Sequence, residues 1–179
     1  MHRLPLPSVV SRENVNRQHG VAAQGSNNTA CSSSSGFNIQ SQGDLDSLSS
    51  CETVFGTINI TAVSFSQITL PSTISTVEGD VTIAQTSAVT SFTASGLEKI
   101  TGTFTLLNLT ALASITAGSL TSVGGLYFSI LPVFQTMSLG ITDAGDVLIS
   151  DTQLSSLSGL SLASVNSFDI GTPRHRLHL

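Results

Sequence analysis

Few side chains in this sequence are equipped for chemistry, and their placement limits what they can do. All four histidines, His2, His19, His175 and His178, lie near the ends of the chain. The long middle therefore contains no Ser–His–acid triad, no Cys–His pair and no usual zinc set. What remains is carboxylates, and three close pairs stand out: Asp44/Asp46, Glu78/Asp80 and Asp143/Asp146. Carboxylate pairs serve glycosidases and lyases as acid and base or nucleophile. Here the pairs are far apart in the chain and sit at turn-like positions, where Asp is common for its local hydrogen bonds. They read as solvated turn acids, so no catalytic residue is assigned. Calcium at Asp143, Asp146 and Asp151 would call for a regular loop pattern that the sequence lacks, and neither metal nor cofactor is expected.

The charge distribution narrows the partners. From Cys31 to Thr172 there are ten acids and one base, Lys99, a net charge of −9. The five arginines, Arg3, Arg12, Arg17, Arg174 and Arg176, lie outside that stretch. A phosphate backbone requires a basic face, so nucleic acid is not an expected partner. Only 9% of the 179 residues are charged, against about 25% in an average soluble protein. Serine and threonine supply the polarity instead. No stretch approaches the roughly 18 apolar residues of a membrane span.

Two cysteines, Cys31 and Cys51, stand 20 residues apart at the start of the ordered-looking sequence. A disulfide between them would staple an N-terminal cap; the alternative is two buried free thiols. Three glycosylation sequons, at Asn27, Asn59 and Asn108, favour the disulfide, because both features belong to a secreted chain. Against this, Met1–Val10 holds no apolar signal-peptide core, and the C-terminus has no hydrophobic anchor tail. Both natural ends are therefore expected to be missing or mis-joined.

The elements that must position these residues come from a repeat. Gly56, Gly79, Gly102 and Gly125 recur every 23 residues, each preceded by an apolar pair such as Leu97/Ile100. After the first three comes an alternating strand: Ile58/Ile60, Val81/Ile83 and Phe104/Leu106. A second apolar pair follows about ten residues later: Val89/Phe92, Leu112/Ile115, then Phe134/Met137 and Leu154/Leu157. A constant period in this range marks a solenoid, whose coils bury their faces against one another. Equivalent strands must pair in parallel, and such crossovers are right-handed. The prediction is an all-β, right-handed parallel β-solenoid over residues 31–172, with about six coils of about 23 residues. Residues 1–30 read as a disordered segment and 173–179 as an unstructured tail. Gly56, Gly79, Gly102 and Gly125 are expected to be structural turn residues.

The outward positions of the repeated strand are Asn59, Thr82, Thr105, Tyr127, Leu148 and Asp169. Two threonines are too few for an ice-binding ladder. Tyr127, the single Tyr in a chain without Trp, reads as a packed or rim residue rather than a sugar-stacking platform. Register loosens after Gly125, and the pattern stops beyond Gly171 without a capping coil, so the natural domain is expected to continue.

The opening segment carries a resemblance. Cys31, the run Ile39-Gln-Ser-Gln-Gly-Asp-Leu-Asp-Ser-Leu48, Cys51 and Val54-Phe-Gly-Thr-Ile-Asn-Ile60 resemble the start of fungal GPI-anchored cell-wall organisation proteins, as do the recurring Gly-x-apolar-x-apolar strands. The likeness covers about residues 31–170 and makes the chain look like an N-terminal fragment of such a protein. It implies receptor-L-domain-like, leucine-rich-like coils and a secreted glycoprotein at the cell surface or wall, membrane-attached through a lipid anchor. It further implies a non-enzymatic role in wall organisation and integrity, with wall polysaccharide or wall proteins as partners. Two rivals stay open: a solenoid carbohydrate-active enzyme, expected to gather three or more carboxylates in one groove, and a receptor-like carbohydrate- or protein-binding module.

Overall fold

A computed structural model describes residues 29–157 and 159–171, and they form a parallel β-solenoid of about six turns. Residues 1–28 and 172–179 lie outside the described residues, and with them the tail histidines, Asn27 and nearly all of the segments read as disordered. Thr29 and Ala30 are the exception, joining Cys31 in a short 3-10 turn.

The chain first forms β1 (Phe37–Ile39) and the short helix α1 (Gln42–Asp46), which close one end. Coil one follows with β2 (Thr53–Phe55), β3 (Ile58–Thr61) and β4 (Gln67–Thr69), and coil two with β5 (Thr76–Glu78), β6 (Val81–Thr86) and β7 (Ser91–Thr93). In later coils the two strands before the second corner fuse into one. These are β8 (Lys99–Leu109) with β9 (Ser114–Ala117), and β10 (Ser122–Leu131) with β11 (Thr136–Leu139). Finally come β12 (Ile141–Thr152) and β13 (Leu160–Gly171). The large sheet runs β1-β3-β6-β8-β10-β12-β13, with β2 and β5 alongside; the small sheet runs β4-β7-β9-β11. All pairings are parallel.

Alternation decides which residues meet. Ile58, Val81, Phe104, Leu126, Val147 and Phe168 share one inward rung, and all but the last are buried. Phe92, Phe104, Phe128 and Phe134 zigzag along the axis with ring centroids 5.4–6.0 Å apart, the last two contacts edge-on. Such pairs contribute about 1 kcal/mol each beyond their burial. The few buried polar groups are paired: the Thr86 hydroxyl donates to the Val63 carbonyl at 2.8 Å, and the Ser129 and Ser150 hydroxyls bond each other.

The glycine column differs from the sequence expectation in one member. A Cβ on Gly79 would stand 2.7 Å from the Gly56 carbonyl, and one on Gly102 2.7 Å from that of Gly79. The next member is Gly124, not Gly125, because β8 bulges where Thr101 and Gly102 together oppose one residue of β10. Gly145 then stacks on Gly124. The loosened register after Gly125 is thus a shortening of the coil, which passes from 23 to 22 to 21 residues along this column. In this column only Gly56, at φ +131°, has a conformation that demands glycine; in the others, the preceding coil's backbone is simply too close.

A second column was not foreseen. Ala62, Gln85, Asn108, Ile130 and Asp151 all have φ between 52° and 58° and follow the same shrinking interval. Each turns the corner at the far end of the repeated strand. The left-handed conformation costs on the order of 1–3 kcal/mol at a non-glycine residue, most at a β-branched one. Ile130 is such a residue, and its side chain is exposed. Ile130→Asn, which places there the residue type found at 108, is therefore expected to stabilise the fold by about 1 kcal/mol. Denaturant midpoints of the two proteins check this; an equal or lower midpoint for the variant refutes it.

The closing helix substitutes for a strand. Ser41 and Asp44 form a capping box. The Gln42 side chain donates to the Thr69 carbonyl and accepts from the Thr69 N–H, pairing the outer edge of β4 as a neighbouring strand would. Leu45 and Leu48 are buried beneath it. The Cys31–Cys51 disulfide is formed, with Cα atoms 5.6 Å apart, so the free-thiol alternative does not hold.

Candidate functional site

The acid pairs do not converge. Asp44 accepts from the Gln40 and Ser41 N–H groups, each at 2.8 Å. These bonds, with the Ser41 hydroxyl, hold its carboxyl below the usual aspartate value. Asp46 accepts from the Gln42 amide on the same helix. Asp80 accepts the Thr103 N–H at 2.8 Å, bridging two coils. Asp143 accepts from the Thr142 hydroxyl and Asp146 from the Ser167 hydroxyl, at 2.8 and 2.9 Å. The turn expectation does not hold for most of them: Asp44 and Asp46 lie in α1, Glu78 in β5, and Asp143 and Asp146 in β12, where they bond within their own element or, for Asp80 and Asp146, to a neighbouring coil. Among the described residues no three His, Cys, Asp or Glu side chains come together as metal ligands, so Asp143, Asp146 and Asp151 do not form a calcium set.

The outward row lies as the alternation predicts. Asn38, Asn59, Thr82, Thr105, Tyr127, Leu148 and Asp169 are successive partners across the large sheet. Asn59 is half-buried on this face, beside the cap at Gly36. Asn108 is exposed at its left-handed corner.

Among the described residues, depressions open on this face at the cap and over the last coils. One, about 490 Å³, lies at the cap among Ser32–Gly36, the exposed ring of Phe55, Gly56, Asn59 and Glu78. The other, about 370 Å³, crosses the last coils and is bounded by Thr103, Tyr127, Asp146, Leu148, Ser167 and Asp169, with Gly124 and Gly125 as floor. Two outward rows build it: Thr103–Gly125–Asp146–Ser167 and, two residues along, Thr105–Tyr127–Leu148–Asp169. Gly125 interrupts the first row: the backbones carrying Thr103 and Asp146 lie two strand spacings apart there, about 9.6 Å, and the Thr103 side chain leans over the buried Gly125, its hydroxyl 3.2 Å from where a Cβ would stand, leaving a shallow gap in the row. Tyr127 stands partly exposed beside that gap. Tyr127 is legible in the sequence, but the gap is not, because Gly125 keeps the 23-residue spacing of the turn glycines while Gly124 takes the crowded place. The exposure of Phe55 was legible, since it alternates with buried Val54.

Neither a family model, nor a curated protein, nor a solved structure matches this chain. Among the described residues, no helix is long and apolar enough to cross a membrane.

Proposed function

We propose that this chain is a non-enzymatic structural protein of the fungal cell surface and wall, contributing to wall organisation and integrity through contact with wall polysaccharide or wall proteins. The observation that carries the reading is the large sheet's outward face, a ladder of amide and hydroxyl side chains on a rigid stack of coils. Such a face offers repeated hydrogen-bonding groups at about 4.8 Å intervals, a fit for a repeating polymer. The disulfide-closed cap and the two sequon asparagines at outward or exposed positions agree with a secreted glycoprotein. The engagement of these carboxylates in hydrogen bonds that cap the helix, brace a strand or tie adjacent coils speaks for a structural rather than a hydrolytic role. The resemblance to lipid-anchored wall proteins supplies the proposed extracellular location and receptor-L-domain-like affiliation. A second reading, a carbohydrate-binding module, is favoured by the depression beside Tyr127.

The test is expression through a fungal secretory pathway. Glycans should appear at Asn59 and Asn108, detected as mass lost in Asn59→Gln and Asn108→Gln. The protein should fractionate with the wall, and wall glucan, chitin or pectin should release no reducing sugar. An unglycosylated protein found only in the soluble fraction would refute the reading. So would sugar release that disappears on Asp146→Asn.

A further inference from the structure

We infer that the trough over Gly125 is a binding site for a neutral hexopyranose oligosaccharide. This deepens the wall-polysaccharide reading and rests on it for the supply of such a ligand. The trough itself is argued from three observations.

First, Gly125 is not required by coil stacking. The crowded column passes through Gly124, whereas a Cβ on Gly125 would meet nothing nearer than the Thr103 hydroxyl, at 3.2 Å. Gly125 is the buried floor of the depression, and its lack of a side chain lets Thr103 lean inward and keeps the row low between Thr103 and Asp146. Second, the depression is flanked by an apolar patch. Tyr127 and Leu148 are cross-strand partners, and the Tyr127 ring is partly exposed. A pyranose has one face of C–H groups that packs on such a pad, removing apolar surface from water. Third, the rim carries acceptors. Asp146 and Asp169 can take hydrogen bonds from sugar hydroxyls, and hydrogen bonds to charged acceptors are about twice as strong as neutral ones. Asp146 is oriented by the Ser167 hydroxyl at 2.9 Å, and Thr103 adds a hydroxyl on the opposite side.

The same rim sets the class of sugar. Two carboxylates on a body of charge −9 repel uronates and phosphorylated sugars. The rows run across successive coils, so a linear oligosaccharide laid along the solenoid axis meets Thr105, Tyr127, Leu148 and Asp169 in turn.

The chain supplies its own probe: Tyr127 is the single tyrosine and there is no tryptophan, so emission excited at the tyrosine band reports on this site alone. Titrating the full chain with a neutral β-linked glucohexaose should change that emission saturably, with calorimetry giving the same affinity. Oligogalacturonate should produce neither signal. By calorimetry, Tyr127→Ser and Asp169→Asn should each weaken binding about tenfold or more. Gly125→Val should crowd Thr103, raise the floor of the trough and abolish binding, with far-ultraviolet circular dichroism showing that the fold is kept. Absence of both emission change and heat at millimolar glucohexaose overturns the inference, as does undiminished binding by Gly125→Val. If Gly125→Val loses wall retention as well, site and wall role stand together. If the wild-type chain stays with the wall yet ignores the oligosaccharide, the trough assignment fails while the wall reading stands.

Discussion

Gly124→Val should lower the melting temperature by roughly 10 °C, whereas Gly118→Ala should leave it unchanged. A Cβ on Gly124 would overlap the Thr101 carbonyl oxygen and crowd that of Gly102. Neither atom belongs to a flexible side chain; both are backbone of the preceding coil. Relief would require β10 to move away from β8, breaking register along the longest part of the large sheet. A cost of about 3 kcal/mol or more follows, at the upper end for overpacking, which for a chain of this length is the shift stated. Gly118 has no neighbour within 4 Å of its Cβ position and so controls for loss of glycine alone. Gly79→Val should behave like Gly124→Val, with its Cβ 2.7 Å from the Gly56 carbonyl. Thermal melts followed by far-ultraviolet circular dichroism decide the matter. Equal melts for Gly124→Val and Gly118→Ala would mean that the coils do not stack as described.

Reducing the Cys31–Cys51 disulfide should lower stability by about 3 kcal/mol, the loop-entropy value for a closed segment of this size. The loss should begin at one end. The bridge ties the 3-10 turn to the start of coil one and encloses β1 and α1, whose Ile39, Leu45 and Leu48 cover the core there. Once released, α1 no longer holds Gln42 against Thr69, and β4 becomes an open edge inviting association. Hydrogen exchange on reduced protein should show β1 and α1 losing protection first, while β8 and β10 keep theirs. Uniform loss of protection would argue against an end-on cap. A melt insensitive to reduction would remove the disulfide from the stability argument altogether.

The fold was legible because solenoid periodicity is written in residue types: Val54, Val77 and Ile100 stack in register, as do Ile58, Val81 and Phe104. The disulfide was legible for a related reason, since Cys51 occupies a core position of the first repeat. The shift from Gly125 to Gly124 was not, because two adjacent glycines satisfy the same pattern and only the bulge in β8 chooses between them. The left-handed corners left no trace either. Ala62, Gln85, Asn108, Ile130 and Asp151 share a backbone conformation but no common chemistry; Asn108 and Asp151 suit it, whereas at Ala62, Gln85 and Ile130 stacking on the neighbouring coil imposes it against their preferences. The trough was hidden for want of that one-residue shift: with Gly125 counted as crowded, nothing marked the space beside Tyr127.

The stacked rungs also bear on how such a gene can change. Every coil presents the same parallel edges above and below, and the interval between equivalent rungs already drifts from 23 to 21 residues within this chain without exposing the shared core. Duplication or loss of a coding segment one coil long, in frame, would carry Ile83 onto the rung of Leu106 and leave both cap and sheet intact. A change in coil number should therefore cost less than many point substitutions in the core, and length becomes an inexpensive axis along which the molecule's reach can evolve.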